Sequence, residues 1–244
     1  MTTLAENIER LEAAIETACR RAGCGRGEVE LMAVTKTCPT ATMAEAAKLG
    51  LTLFGENRVQ EFVGKALHAT AFRTSCGKQE LRVHLIGHLQ SNKAARAVEI
   101  FDGIDSLDSP RLAERLNEAA GKLGKRLPVL IEVKLSPEAS KSGVEPDSAE
   151  AAELLERLPD LVNLQVRGLM TIAPLGVGEA GTRACFHGLR EWRERWTAAH
   201  PRLSLDVLSM GMSEDFALAI EEGATRIRVG TALFGARSAK RETA

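Results

Sequence analysis

The sequence predicts an α/β fold: a single (β/α)8 barrel with an extra N-terminal helix, forming one domain over residues 1–244. Three observations carry this expectation. Eight short β-rich runs alternate with helical stretches within 244 residues, a length at which such barrels close as one unit. The composition is 44% hydrophobic, enough to fill a sizeable core. The first strand is followed by "TKTCPT", which has no glycine, whereas an open doubly wound sheet usually carries a glycine-rich turn there.

The chain opens with Leu4, Ile8, Leu11, Ile15 and Ala18 at helical spacing, with Thr3 and Glu6 as a capping box and an exit near Gly23. Acidic residues run through this stretch, which excludes a signal peptide. The strand runs are "VELMAVTK" (29–36), "LTLFGE" (51–56), "LRVHLIG" (81–87), "FDGIDSL" (101–107), "PVLIEVKL" (128–135), "LQVRGLMTI" (164–172), "LDVLSM" (205–210) and "TRIRVG" (225–230). Residues 109–123 read as a helix with Ser109 as N-cap, Pro110 in the first position, and Gly121 and Gly124 at the exit. Residues 213–222 read as another, capped by Ser213 and stopped by Gly223. The stretches 68–80 and 173–182 read as loops rather than domain boundaries.

A net charge of −1 gives no basic excess for nucleic acid or anionic membrane, and no stretch is apolar enough to span a bilayer. The five cysteines, Cys19, Cys24, Cys38, Cys76 and Cys185, have irregular spacing and no C-x-x-C pair. Neither a disulfide framework nor a zinc site is indicated, and a reducing cytoplasm is the expected location. His84 and His88 lie on a strand end and loop without the glutamate of a zinc helix motif, so no metal is expected. The pair reads as lining the barrel mouth, with His84 a packed strand residue. The chain contains no tyrosine, which excludes a phenol as acid or base.

Lys36 stands at the C-terminal end of the first strand, the end at which barrels of this kind place their active sites. Met32, Val34 and Lys36 share one face of that strand, and Leu31, Ala33 and Thr35 the other. With the first set inward, the Lys36 amine enters the barrel mouth, where desolvation favours a nucleophile able to form an imine. After the seventh and eighth strands come "SMGMSEDF" (209–216) and "VGTALFG" (229–235), two loops with glycines, hydroxyls and helix starts suited to phosphate. An amine opposite a phosphate cup suits pyridoxal 5′-phosphate (PLP), an aldehyde joined to a phosphate by a ring. In the eighth strand Arg226, Arg228 and Gly230 share a face. Arg228 reads either as the neighbour of the ring nitrogen or as one half of a salt bridge, for example with Glu132. Lys134 and Lys141 stand as alternative amines near the fifth strand.

The motifs "AVTKT", "FGENRVQE" (54–61), "HLIGHLQSNK" (84–93), "SKSG" (140–143), "RGLMTI" (167–172), "LSMGMSEDF" (208–216) and "IRVGTALFGAR" (227–237) together resemble the pyridoxal phosphate homeostasis proteins, single-domain relatives of the alanine racemase barrel. The resemblance implies a TIM-like barrel that holds PLP on Lys36 as a Schiff base. It places the phosphate around Met212, Ser213, Gly230 and Thr231, Arg228 near the ring nitrogen, and Asn57 near the ring hydroxyl or imine. It implies a non-catalytic carrier or reservoir, for which transient contact with PLP-dependent apo-enzymes is expected; without the second domain that makes racemases dimeric, a monomer is expected. The alternative is an amino-acid racemase of the alanine racemase type. That chemistry sets a tyrosine against the lysine on the other face of the substrate, and this chain has none.

Overall fold

Each of the eight β-rich runs forms a strand. The computed structural model describes residues 2–65, 80–136, 138 and 141–235. The strands are β1 (Glu30–Val34), β2 (Leu53–Glu56), β3 (Arg82–Leu85), β4 (Gly103–Leu107), β5 (Leu127–Glu132), β6 (Leu164–Met170), β7 (Val207–Ser209) and β8 (Arg226–Val229). Neighbours in sequence pair in parallel, and β8 returns to β1 through Glu30 opposite Arg226 and Met32 opposite Arg228, closing the barrel.

Every strand is shorter than its sequence run. Leu51, Leu81, Phe101 and Leu205 precede their strands yet are buried, so apolar character extends beyond the ladder hydrogen bonds. The first run stops at Val34, and Lys36 lies in a turn beyond it. Helix boundaries differ in two places. Residues 213–215 form a turn rather than the start of a helix, and the helix spans Phe216–Glu221 with Asp215 in the N-cap position. Ser213 is therefore not its cap; its hydroxyl accepts from Ala232 N–H at 3.2 Å instead. The loop expected over 173–182 ends early, because the next helix starts at Gly178 and runs to Ala199. Of the expected loop at 68–80, residues 68–79 lie outside the described residues.

The opening helix, Leu4–Ala22, has the reciprocal Thr3–Glu6 cap and stops at Gly23 in the left-handed region. Asn7 on this helix donates to the Leu233 carbonyl at 2.8 Å, tying it to the C-terminal helix Thr231–Phe234. Ser109 caps Pro110–Lys122 by accepting from Leu112 N–H at 3.3 Å.

Strand alternation sorts the barrel wall. Met32, Val34, Leu53 and Ile86 form a small apolar cluster inside, while Leu31, Ala33, Phe54, Val83, Ile227 and Val229 join the larger core beneath the helices. Below the inner cluster the interior is polar. Arg226 donates to Glu30 at 2.8 Å and to Asp105 at 3.0 Å, and Asp105 also bonds His84 Nδ1 at 2.8 Å. Burial alone would push the Asp105 carboxyl up, but His84 and Arg226 outweigh it and hold the group below the usual carboxylate range. Asp105→Ala would leave a buried guanidinium short of an anion. It is expected to cost about 3–5 kcal/mol, measured by urea unfolding.

Candidate functional site

A cavity of about 1300 Å³ opens at the C-terminal ends of the strands. Lys36, Asn57, Met212, Ser213, Arg228, Gly230 and Thr231 all line it. Lys36 follows β1 and is half-buried, and Val34 of the inner cluster lines the same cavity. Asn57 follows β2. Gly87, just after β3, passes so close that a Cβ there would stand 2.2 Å from the Asn57 carbonyl oxygen. This close approach fixes where Asn57 sits, and any larger residue at 87 would displace it.

The loops after β7 and β8 interlock. Gly211 has φ 90°, and a Cβ there would meet Ala219 Cβ at 2.5 Å. The turn that follows is closed by Met212 N–H donating to the Asp215 carboxylate and by Phe216 N–H donating to the Met212 carbonyl. Burial pushes the Asp215 carboxyl up, and the Met212 N–H opposes it. The bond from Ala232 N–H to the Ser213 hydroxyl links this loop to the short helix opened by Gly230. Met212, Ser213, Gly230 and Thr231 of these two loops thus line one cavity, together with the acidic Glu214 and Asp215.

Arg228 is buried on β8 and is held by Ser209 Oγ at 2.9 Å and the Thr171 carbonyl at 2.8 Å. It has no ion pair among the described residues, so the salt bridge considered from the sequence does not form. Burial pulls its pKa down, against the attraction of Asp105, Glu132 and Asp215. It remains a cation, since arginine does not lose its proton in proteins. Glu132, at the end of β5, lines the same cavity and is 5% exposed. Its Oε2 has no hydrogen-bond partner among the described residues. Burial first, then the Asp108 charge, push its carboxyl up to about 7, with Arg228 opposing. Asp108 itself bonds His88 Nδ1 at 2.8 Å.

The alternative amines are otherwise engaged. Lys141 donates to the Ala173 carbonyl at 2.7 Å and lies 3.4 Å from Glu138, while Lys134 pairs with Glu145 at 3.3 Å. His84 is a packed strand residue, as its position in the sequence indicated, whereas His88 lines the cavity. Among the described residues no group of three ligating side chains is placed to hold a metal.

Sequence reasoning named Glu132 only as a partner for Arg228 and missed it as an unpaired acid of the cavity. The signal was a lone carboxylate inside the apolar run "PVLIEVKL" on the same parity as inward-facing Leu130. It also missed Ser209 and Thr171 as the groups that hold Arg228, because a hydroxyl and a carbonyl carry no charge signal.

Comparison with known proteins adds to the geometry. The family model described as the alanine racemase N-terminal domain matches residues 6–238. The pyridoxal phosphate homeostasis protein of Vibrio cholerae is 41% identical over 242 residues, covering 99% of each chain. That of Pseudomonas aeruginosa is 42% identical over 238 residues, covering 97% of each. PipY of Synechococcus elongatus, solved with PLP bound, is 43% identical with a TM-score of 0.82, covering 96% of this chain and 100% of PipY.

Glu132 couples the fold to pH. Its folded-state pKa lies above the unfolded value, so the folded chain keeps a proton that the unfolded chain releases between about 4.5 and about 7. Stability from this group is present below that window and is lost as pH rises through it, by roughly 3 kcal/mol at most. Urea unfolding at pH 5 and pH 8 should show the wild type losing stability relative to Glu132→Gln as pH rises. Parallel pH profiles for the two proteins would contradict the assignment.

Proposed function

The chain belongs to the pyridoxal phosphate homeostasis protein family, and we propose that it binds PLP in the barrel mouth as a non-catalytic carrier or reservoir. The observation that carries this reading is that Lys36, Arg228 and both phosphate-suited loops line one cavity. The donor set fits the cofactor group by group: an amine for the aldehyde, a buried cation for the ring nitrogen, an amide for the ring hydroxyl, and hydroxyls with backbone N–H groups for the phosphate. When bound, the cofactor supplies an electrophilic carbonyl, and Lys36 would hold it as a Schiff base with loss of one water.

The chain's own residues explain why holding is favoured over turnover. Arg228 is fixed by neutral acceptors, so it offers N–H groups and positive charge at the place where a carboxylate would protonate a ring nitrogen. A ring nitrogen kept unprotonated is a poorer electron sink. Racemisation needs a second base opposite the lysine, and with no tyrosine in the chain the usual one is missing. Ser213 and Ala232 hold the phosphate-suited loops together without closing the cavity, which leaves a route for the ligand to depart. We take residues 1–244 as one domain, acting in the cytoplasm as a monomer that meets apo-enzymes transiently. The closing of all eight strands on one another supports the single-domain reading.

Addition of PLP should give the visible absorbance of a lysine imine. Lys36→Ala should abolish it while leaving the affinity for pyridoxine 5′-phosphate, which lacks the aldehyde, within about threefold of wild type. An unchanged band in Lys36→Ala would refute the assignment. The carrier reading further expects that a PLP-requiring apo-enzyme gains activity from the loaded protein faster than free PLP release allows. Equal rates would leave a reservoir without active delivery.

A further inference from the structure

The "GENRVQE" stretch contains more acid than the cavity uses. Asn57 lines the mouth, but Glu56 and Glu61 lie elsewhere, and the structure shows what they hold. We propose that Glu56, Glu61 and Lys65 form a clamp on the outer wall of the barrel that fixes the backbone on both sides of Lys36 and so positions its amine; the clamp's purpose rests on Lys36 being the residue that meets the PLP aldehyde.

The argument begins with strand parity. Val34 faces inward, so Thr35 faces outward, as does Glu56 beyond inward-facing Gly55. The Thr35 hydroxyl donates to Glu56 Oε1 at 2.7 Å. Residues 59–65 are helical, and Glu61 and Lys65 are one turn apart. Lys65 Nζ donates to Glu56 Oε1 at 2.9 Å and to the Thr35 carbonyl at 3.0 Å, and lies 3.3 Å from Glu61. Glu61 Oε1 in turn accepts from the N–H of Thr37. The carbonyl immediately before Lys36 and the N–H immediately after it are therefore both held by side chains of one helical turn.

Two features point to positioning rather than stability alone. Thr37 has φ 68°, and it is the non-glycine residue in the left-handed region among those described. A β-branched residue there costs free energy and persists only where its surroundings over-determine it. The inner half of the clamp is buried, with the Glu56 side chain 0% and Lys65 12% exposed. Glu56 Oε2 has no partner among the described residues. Burial raises the Glu56 pKa, and the Lys65 charge is the main opposing influence. A carboxylate is thus kept in an unfavourable place by a lysine that also holds the backbone carbonyl preceding Lys36 and pairs with Glu61.

The test separates rate from affinity. Glu61 is 26% exposed, so Glu61→Ala should fold; Glu61→Gln retains an oxygen that can accept from Thr37. Stopped-flow absorbance would give the rate of imine formation, and pyridoxine 5′-phosphate the non-covalent affinity. Glu61→Ala should form the imine about tenfold more slowly with analogue affinity within about twofold of wild type, and Glu61→Gln should restore most of the rate. Lys65→Met should behave like Glu61→Ala. A Glu61→Ala protein with the wild-type rate, or one losing rate and analogue affinity equally, would overturn the clamp. A wild type that binds the analogue but gives no imine would overturn the Lys36 reading itself, and the clamp with it.

Discussion

Two guanidinium groups from one strand, Arg226 and Arg228, lie inside a closed barrel, and the interior is organised around them. A buried cation needs anions or well-aimed acceptors. The lower one receives Glu30 and Asp105, and Asp105 in turn holds His84, so the base of the barrel is neutralised by a connected network. The upper one receives a hydroxyl and a carbonyl, with Glu132 nearby but not paired. Charge is therefore settled at the bottom and left open at the top, where the cavity lies. The same strand contributes to the buried network at one end and lines the cavity two residues later.

Alternation along β1 gives a comparable division across the wall rather than along it. Val34 packs inside, Thr35 bonds outward to Glu56, and the turn after them brings Lys36 to the mouth. A lysine placed within the strand would have its direction set by the pleat. Here the strand stops two residues early, and the turn is held by side chains from outside the barrel. The cavity lining inside and the packing outside are thus set by different residues.

The fold was legible because eight β-rich runs and their intervening helices are a pattern of composition and period, and burial enforces it. Strand ends were not, since Leu51 and Leu205 are already apolar and buried before the ladder begins. Ser213 looked like a helix cap because serine before an acidic pair fits that role. Its hydroxyl instead accepts from Ala232 of the C-terminal helix, nineteen positions further on, a contact that sequence neighbourhood does not display. The lining residues were legible where parity and loop position located them, as for Lys36, Arg228 and Gly230. Glu132 was legible by parity but not by chemistry, because the missing partner of a buried carboxylate is visible only in three dimensions.

The central claim is that the amine after β1, and not one of its neighbours, takes the aldehyde. Borohydride reduction of the PLP-loaded protein followed by peptide mapping tests it most directly. The account predicts one stable adduct, on Lys36. An adduct on Lys134, Lys141 or Lys65 with Lys36 unmodified would contradict it.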